Sequence, residues 1–327
     1  MNKPILYMLV GIPASGKSTW ANENEGYDSN EKFTYWFSSD KIRSIYNLKD
    51  NNKVFNILHN RIFEALREGY NAIYDATNVS RKYRIFFLNE LNQKKIDCEK
   101  ICVLFLTPVH ICKERNAARF ECVPDYVYDR MLRNFQLPMK EEGWDEIRIE
   151  TIQSCMPYEP AAWIKEFGCS KMEIFDGKWD MEQENEHHTL SLQEHQKRTF
   201  SYIYQKYTHL AMFNICIPLM TAASYHDIGK FWTKTKNEGD RNAHYYGHEN
   251  WGAYEFLVLI YMMATDEGGV AAKIDMEDYQ TALLINWHMC PYAWEKSPKA
   301  KEKDEKLLSM TFHYMLDILH EADKEAH

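Results

Sequence analysis

The chain has 327 residues, 45% of them apolar and 27% charged, a composition typical of soluble globular proteins. The length favours two domains over one. The net charge of −9 is uneven: residues 1–150 carry +1 and residues 151–327 carry −10. This distribution argues against non-specific tracking along duplexes. It allows a groove for a short nucleic-acid end in the first half, which has basic clusters such as Arg81–Arg84.

The cysteine spacing and the short apolar runs argue against a secreted disulfide scaffold and a membrane-spanning protein. The eight cysteines form no Cys-x-x-Cys pair, which is typical of reduced thiols in the cytosol. The apolar run Phe256–Ala264 is about half as long as a membrane span. Ile5–Val10 leads directly into a glycine-rich loop, so a buried strand explains it better than a signal peptide. We expect a cytoplasmic protein that does not contact a membrane.

Short apolar runs alternate with helical patterns over the first 150 residues. Ile5–Val10, Asn71–Tyr74 and Ile101–Leu106 are predicted strands, and Glu146–Ile152 is a candidate for one more. This alternation predicts an α/β domain, with a parallel sheet flanked by helices, over 1–152. Prolines, glycines and an acidic run indicate a linker or small connecting segment over 153–186. The remaining residues, 187–327, show almost only helical periodicity and predict an all-α domain.

A glycine-rich loop follows the first predicted strand. Residues 11–18, Gly-Ile-Pro-Ala-Ser-Gly-Lys-Ser, match G-x-x-x-x-G-K-[ST] and precede a helical pattern. In such a P-loop the backbone N–H groups wrap the phosphates, Lys17 reaches the β- and γ-phosphates, and Ser18 binds Mg²⁺. The alternative is a glycine-rich turn with an incidental lysine. The predicted ATP-binding residues are Gly11, Ala14, Ser15, Gly16, Lys17, Ser18 and Thr19.

Three further segments bear on the type of NTPase. They are Ser38–Arg43, Tyr74–Asn78 and the basic segment Glu114–Arg119, which is followed by Val-Pro. Together with the loop, they resemble the kinase domain of phage polynucleotide 5′-kinase over about residues 1–150. The resemblance implies that Asp40 is the general base on the 5′-hydroxyl and that Arg43 steadies the acceptor end. It also assigns to Arg115 and Arg119 the role of lid arginines on the ATP phosphates.

The residues themselves agree with this interpretation but leave alternatives open. Asp75 ends a predicted strand, where a carboxylate can address Mg²⁺ or its waters. It is otherwise a loop aspartate that satisfies backbone donors. The alternative for Asp40 is the N-cap of the following helix. The alternative for Arg115 and Arg119 is a solvated helix face. Small-molecule kinases share much of the pattern, which therefore predicts a kinase and leaves its acceptor open.

Histidines and aspartates are dispersed through the second half in the order H…HD…H…H…D, each on a helix of its own in our prediction. The order resembles the HD phosphohydrolase superfamily over about 187–327. The resemblance implies one metal held by four of these residues and a second metal that shares Asp227 with the first. The ligands of the first metal are His195, His226, Asp227 and Asp323, and His248 and His288 complete the second.

Mixed imidazole and carboxylate ligation suits Mn²⁺, Fe²⁺, Co²⁺, Ni²⁺ or Zn²⁺ better than Ca²⁺. Two such metals supply a hydroxide and clamp phosphate oxygens, and Lys230 is predicted to stabilise the charge that develops on the phosphate. A hydrogen-bonded structural histidine is the alternative for any single member. Asp317 is an alternative last ligand on the C-terminal helix, and His187 and His188 lie either near the metals or on a polar surface.

Fusions of such a kinase with such a phosphohydrolase resemble bifunctional nucleic-acid end-healing enzymes. The resemblance implies an ATP-dependent 5′-hydroxyl kinase and a metal-dependent 3′-phosphatase or 2′,3′-cyclic phosphodiesterase. Its substrates are then short RNA or DNA ends, and a separate ligase acts in the same pathway. One alternative joins the kinase to a nucleotidase that acts on mononucleotides. Another is an NTP-dependent regulatory module whose second half only binds a nucleotide; the intact ligand set argues against it.

Overall fold

The computed structural model describes residues 3–29, 31–151, 180–184, 190–209, 215–266 and 274–326. It forms two compact units. Unit 1 comprises Met1–Met131 and Pro138–Thr151, and unit 2 comprises Leu132–Leu137 and Ile152–His327. Most of the predicted linker, and both His187 and His188, lie outside the described residues. Within these ranges, no helix combines the length and the apolar character needed to cross a bilayer.

The described part of unit 1 is built on a six-stranded sheet with strand order β2-β3-β4-β1-β5-β6. Every pairing is parallel except that of β2 with β3. The α/β prediction is confirmed, including the extra strand β6, whereas β2 and β3 are not predicted by the apolar runs. The strands are β1 (Ile5–Val10), β2 (Gly26–Tyr27), β3 (Phe33–Ser38), β4 (Asn71–Asp75), β5 (Glu99–Leu106) and β6 (Glu146–Thr151).

Helices connect these strands and cover the sheet. One core cluster packs Ala21 of the first helix against Leu9, Ile73 and Val103 of three neighbouring strands. Because the connections are parallel crossovers, the carboxyl ends of β1, β3 and β4 meet at one edge of the sheet. The helices are α1 (Lys17–Asn24), α2 (Ser39–Tyr46), α3 (Asn51–Arg67), α4 (Arg81–Gln93), α5 (Val109–Ala117) and α6 (Asp125–Leu132), with a 3₁₀ turn at Lys140–Glu142.

Unit 2 is helical over most of its described residues. Isolated β-bridges in these ranges join Glu182 to Ser191 and Thr235 to His244. The helices are α7 (Leu192–Tyr207), α8 (Cys216–Tyr225), α9 (Lys230–Thr233), α10 (His248–Asp266), α11 (Met276–Trp287), α12 (Cys290–Lys296), α13 (Pro298–Glu305) and α14 (Met310–Glu325).

Unit 2 includes the short segment Leu132–Leu137, although the chain on both sides belongs to unit 1. Asn286 anchors this segment: its Nδ2 donates to the carbonyl of Phe135 at 3.1 Å, and its Oδ1 accepts from the amide of Leu137 at 3.1 Å. The Phe135 ring is buried and packs edge-to-face on Tyr254 at 4.9 Å. A fragment cut at the predicted boundary near residue 152 therefore lacks part of the core of unit 2.

Candidate active sites

The loop between β1 and α1 has the backbone of an anion-binding site. Ala14 has φ 59° and Gly16 has φ 101°, both in the left-handed region. A Cβ at Gly11 would lie 2.6 Å from Oγ of Ser15 and 3.1 Å from Cβ of Phe105, so any larger residue there requires these neighbours to shift. Alternation of left- and right-handed residues turns successive N–H groups toward one point, where phosphate oxygens bind. The remaining predicted loop residues, Lys17, Ser18 and Thr19, open helix α1.

Lys17 is buried inside this loop. Its Nζ donates to the carbonyls of Gly11 at 2.9 Å and Ile12 at 2.7 Å. Burial lowers the pKa of Lys17 to about 8, and the negative charge of Asp75 opposes this shift. The ammonium thus occupies the centre of the loop, where phosphate oxygens would replace the carbonyls as its partners.

Asp75, the last residue of β4, pairs with Ser18 of the loop. Oγ of Ser18 donates to Oδ2 of Asp75 at 2.9 Å. Nε1 of Trp36 donates to the same oxygen at 3.1 Å. Burial raises the pKa of Asp75, and Lys17 opposes this effect. A hydroxyl and a carboxylate held side by side are oxygen ligands of the kind that Mg²⁺ binds. No sequence motif marks Trp36, which lies on β3, a strand that the apolar runs do not predict.

Asp40 lies one strand away at the same sheet edge. Ser38, which pairs with Asp75 across the sheet, is the N-cap of α2, and its side chain accepts from the amides of Asp40 and Lys41. Asp40 is therefore not the N-cap, and that alternative is wrong. Its carboxylate accepts from Arg43 at 2.8 Å and is 89% exposed, so a substrate hydroxyl can reach it. The role of Asp40 as general base stays a prediction.

The two predicted lid arginines do not share a helix face. Arg115 lies on α5, which ends at Ala117, and Arg119 lies in the bend that follows. The alternative of an i, i+4 pair on one solvated helix is therefore wrong. Burial is the main cause that lowers the pKa of Lys17, and the positive charge of Arg119 adds to this lowering. Contact of either arginine with ATP phosphates stays a prediction.

The basic cluster Arg81–Arg84 does not form an open cationic groove. The Arg84 guanidinium is fully buried and lies 2.6 Å from Oε1 of Glu142. Arg81 lies 3.6 Å from the same carboxylate oxygen. Both arginines are paired with Glu142 inside the protein, because guanidinium groups removed from water need a partner charge. Their charges are therefore not exposed to a nucleic acid.

Unit 2 brings all six predicted metal ligands into one buried cluster. Two groups within it can each hold an ion, and they share Asp227. One group combines Asp227 with His195 and His226, and the other combines it with His248 and His288. Oδ1 of Asp227 lies 3.0 Å from Nε2 of His248, and Oδ2 lies 3.5 Å from Nε2 of His195. Each carboxylate oxygen thus faces a different group, as bridging two ions requires.

Asp323 joins the group that contains His195. Its Oδ1 lies 2.9 Å from Nε2 of His195 and 3.5 Å from Nε2 of His226. Tyr292 donates to its other oxygen at 2.9 Å and so orients the carboxylate. Asp317, the alternative ligand, has a 56% exposed side chain that pairs with a neighbouring histidine at 3.2 Å. The structure therefore places Asp323 in the cluster and Asp317 on the surface of α14.

Contrary to our prediction, the ligands do not all lie within helices. His195 lies within α7 and Asp323 within α14, but His226 and Asp227 lie in the turn that follows α8. The turn is packed tightly: a Cβ at Gly229 would lie 1.9 Å from the carbonyl of His248, the first residue of α10. This close approach, which only glycine permits, brings the turn and α10 together. The remaining histidine, His288, directly follows α11.

Backbone carbonyls orient three of the imidazoles. Nδ1 of His226, His248 and His288 lies 3.0, 2.9 and 2.7 Å, respectively, from the carbonyl three residues earlier. An Nδ1–H donated to a carbonyl leaves Nε2 unprotonated in the neutral ring. His248 and His288 then direct two lone pairs at each other across 3.1 Å, which is unfavourable without a cation. Two bonds of about 2.0–2.1 Å to one metal ion fit this separation.

Lys230 forms an ion pair with Asp227, the carboxylate that the two groups share. Its Nζ is 2.6 Å from Oδ2 of Asp227 and donates to Oε1 of Gln183 at 2.7 Å. Burial alone would raise the pKa of Asp227, but Lys230 and His226 outweigh it and hold that pKa well below its usual range. Asp227 is thus a carboxylate and able to bind cations. Gln183 gave no sequence signal, because it lies in the irregular segment before α7.

A carboxyl outside the cluster gives unit 2 a pH-dependent stability. Glu255 is buried on α10 and accepts from Nε1 of Trp251 at 3.3 Å. Burial raises its pKa from 4.5 to about 7, and the Trp251 bond opposes this. Between these values the folded state keeps a proton that the unfolded state has lost. The free energy of unfolding therefore falls by about 3 kcal/mol as the pH rises from about 4.5 to about 7.

Glu255→Gln keeps the acceptor for Trp251 and cannot ionise, so we expect it to remove this pH dependence of the free energy of unfolding. At pH 8 the variant should be more stable than the wild type by about 3 kcal/mol, and below pH 4 the two should be equal. Urea unfolding at a series of pH values, followed by tryptophan fluorescence, measures the difference. Parallel stability curves for the two proteins would contradict the prediction.

Comparison with known proteins finds similarity mainly in unit 1. The family profile described as an AAA domain matches residues 6–138, which is less than half of the chain. The L-seryl-tRNA(Sec) kinase of Methanococcus maripaludis is 25% identical over 165 residues, 46% of this chain and 60% of that kinase. A chain in the Pnkp1/Rnl/Hen1 RNA repair complex is 20% identical, with 41% of this chain and 45% of that chain covered and a TM-score of 0.36. The tunicamycin resistance protein of Deinococcus radiodurans is 13% identical, with 44% and 88% covered and a TM-score of 0.30.

The matched residues contain the whole glycine-rich loop and, apart from the first residue of β1, the strands β1 to β5. Unit 1 is therefore a P-loop domain of the kinase type, distantly similar to a seryl-tRNA kinase, and such a domain implies ATP and Mg²⁺. The chain spans 60% of the length of that curated relative.

Proposed function

We propose that this protein is a bifunctional nucleic-acid end-healing enzyme. Unit 1 acts as an ATP-dependent 5′-hydroxyl polynucleotide kinase. Unit 2 acts as an HD-type phosphohydrolase on 3′-phosphate or 2′,3′-cyclic phosphate ends. The observation that carries the proposal is the pair of ligand groups sharing Asp227 in the same chain as a P-loop site. The ends that such an enzyme produces are those that a separate ligase joins, and a cytoplasmic location is part of this proposal.

In the kinase site, transfer needs an acceptor base and positive charge around the γ-phosphate. Asp40 takes the proton of the 5′-hydroxyl as the oxygen bonds to the γ-phosphorus and the bond to the β-phosphate oxygen breaks. Arg43, held 2.8 Å from Asp40, fixes the carboxylate and the acceptor end. Lys17 stabilises the charge on the transferring group. Ser18 and the Asp75 carboxylate would hold Mg²⁺, which would add charge neutralisation on the phosphates.

In the hydrolase site, His195, His226, Asp227 and Asp323 would hold one metal ion, and Asp227, His248 and His288 a second. Transition-metal ions held there would supply a hydroxide at neutral pH and would polarise phosphate oxygens. The protein contributes the orientation of the ligands through backbone carbonyls and Tyr292. Lys230 keeps the shared carboxylate ionised and adds positive charge beside the phosphate.

One assay tests both halves. The purified protein is incubated with ATP, Mg²⁺, Mn²⁺ and a short oligonucleotide bearing a 5′-hydroxyl and a 3′-phosphate, and the products are weighed. We expect a 5′-phosphate to be gained and the 3′-phosphate to be lost. Phosphorylation of a small metabolite but of no oligonucleotide would reject the kinase assignment. Hydrolysis of mononucleotides but not of oligonucleotide ends would identify unit 2 as a nucleotidase.

A further inference from the structure

A continuous set of aromatic rings follows β3 in unit 1. Strand alternation places Phe33, Tyr35 and Phe37 on one face, with ring centroids 4.6 and 6.1 Å apart. Tyr27 of β2 extends the set beyond Phe33 at 5.0 Å, and Tyr70 packs on Tyr35 at 5.2 Å. We call these five residues the aromatic row.

Three of the five rings of the aromatic row are exposed, Phe33 and Phe37 are half-buried, and the row lies outside the core cluster beside it. Tyr27 is 77% exposed, Tyr35 38% and Tyr70 36%. The core contact of β3 is made from its other face, where Trp36 packs against the core cluster. Contiguous exposed aromatic surface of this kind indicates a binding site. Tyrosine suits such a surface, because its hydroxyl stays hydrated while its ring face is covered.

The aromatic row leads to the proposed acceptor site. It ends at Phe37, one residue before the end of β3, and Asp40 follows in the first turn of α2. The four strand steps from Phe33 to Phe37 span roughly 13 Å, which accommodates more than one base of an extended strand. A cation lies at this end, because Arg43 pairs with Asp40 at 2.8 Å. Aromatic rings thus line the path toward Asp40, and positive charge lies where the 5′ end of the acceptor strand would bind.

We propose that the aromatic row stacks the bases of a single-stranded acceptor and presents its 5′-hydroxyl to Asp40. The proposal rests on the kinase function proposed above and adds to it a preference for single strands longer than two nucleotides. Every base has a π-face, so stacking selects single strands without selecting sequence. In a duplex the base faces are already stacked on one another and cannot cover the aromatic row.

Steady-state kinetics with two single-stranded 5′-hydroxyl acceptors, a dinucleotide and a dodecamer, test this proposal. Tyr35→Leu removes the ring but keeps an apolar side chain. We expect KM for the dodecamer to rise about tenfold, with kcat and KM for the dinucleotide unchanged. Tyr35→Phe keeps the ring and should behave as the wild type. The salt dependence of dodecamer binding should stay the same, because tyrosine carries no charge that releases counterions.

The control Tyr204→Ala removes an exposed tyrosine from unit 2, 56% exposed against 38% for Tyr35, and should leave both KM values unchanged. An unchanged dodecamer KM in Tyr35→Leu would overturn this inference and leave the kinase assignment intact. So would an equal rise for both acceptors, which means a local structural defect. Conversion of a dimer to a monomer by Tyr35→Leu, seen by light scattering, would assign the aromatic row to a second copy of the chain. A wild type that phosphorylates no oligonucleotide would reject the kinase assignment and this inference together.

Discussion

Asp227→Ala should abolish hydrolysis at the 3′ end and release bound metal from both ligand groups. Asp227 is the residue that the two groups share, with one oxygen 3.0 Å from His248 and the other 3.5 Å from His195. Loss of this carboxylate removes a ligand from each proposed metal and leaves Lys230 without its partner at 2.6 Å. Metal ions contribute several kcal/mol to such reactions, so we expect at least a 10³-fold loss, on the order of 4 kcal/mol.

The measurements are metal content by elemental analysis after incubation with Mn²⁺, and release of phosphate from a 3′-phosphate oligonucleotide. Circular dichroism establishes that the variant is folded, and Asp227→Asn offers a second, nearly isosteric change. The kinase reaction of the folded variant should persist, because unit 1 contains a complete P-loop site. Retention of two equivalents of metal by either variant would exclude Asp227 as the bridging ligand.

Two aspartates on α14, Asp323 and Asp317, provide a further variant and its matched control. Asp323→Ala removes the carboxylate 2.9 Å from His195 and should empty the first group while leaving the second able to bind. Asp317→Ala, six residues earlier on the same helix, removes an exposed carboxylate and should change neither metal content nor hydrolysis. The reverse result would make Asp317 the ligand.

Lys17→Ala should reduce the kinase reaction at least about 10²-fold. The ammonium lies at the centre of the glycine-rich loop, 2.9 and 2.7 Å from two loop carbonyls, and water cannot replace a buried positive charge there. Preorganised charges of this kind contribute about 3–4 kcal/mol to transition-state stabilisation. Transfer of phosphate from labelled ATP to a 5′-hydroxyl oligonucleotide measures the loss.

The control for Lys17→Ala is Lys53→Ala, which removes an exposed lysine from the first turn of α3 and should leave the rate unchanged. Hydrolysis of the 3′-phosphate by Lys17→Ala should persist in the presence of Mn²⁺. A kinase rate within a few-fold of the wild type would show that the loop does not bind the transferring phosphate.

The sequence alone determined the features that depend on neighbouring residues. The P-loop is legible because its glycines, Lys17 and Ser18 are contiguous and stand between a strand and a helix. The parallel sheet follows from strands that alternate with helices. The apolar runs do not predict β3, because its four apolar residues, all aromatic, are interrupted by Thr34 and form no continuous aliphatic run. Trp36 and the aromatic row were missed together with this strand.

The tertiary structure decided which distant residues meet. Pairing of Ser38 with Asp75 brings Asp40 to the edge that carries the P-loop, and no local pattern records that register. The sequence indicates the six histidines and aspartates proposed as metal ligands, but packing of the Gly229 turn against α10 decides that Asp227 faces both groups. Likewise, only the fold assigns Leu132–Leu137 to unit 2. Periodicity and motif spacing report local geometry, whereas these juxtapositions arise from contacts between residues far apart in the chain.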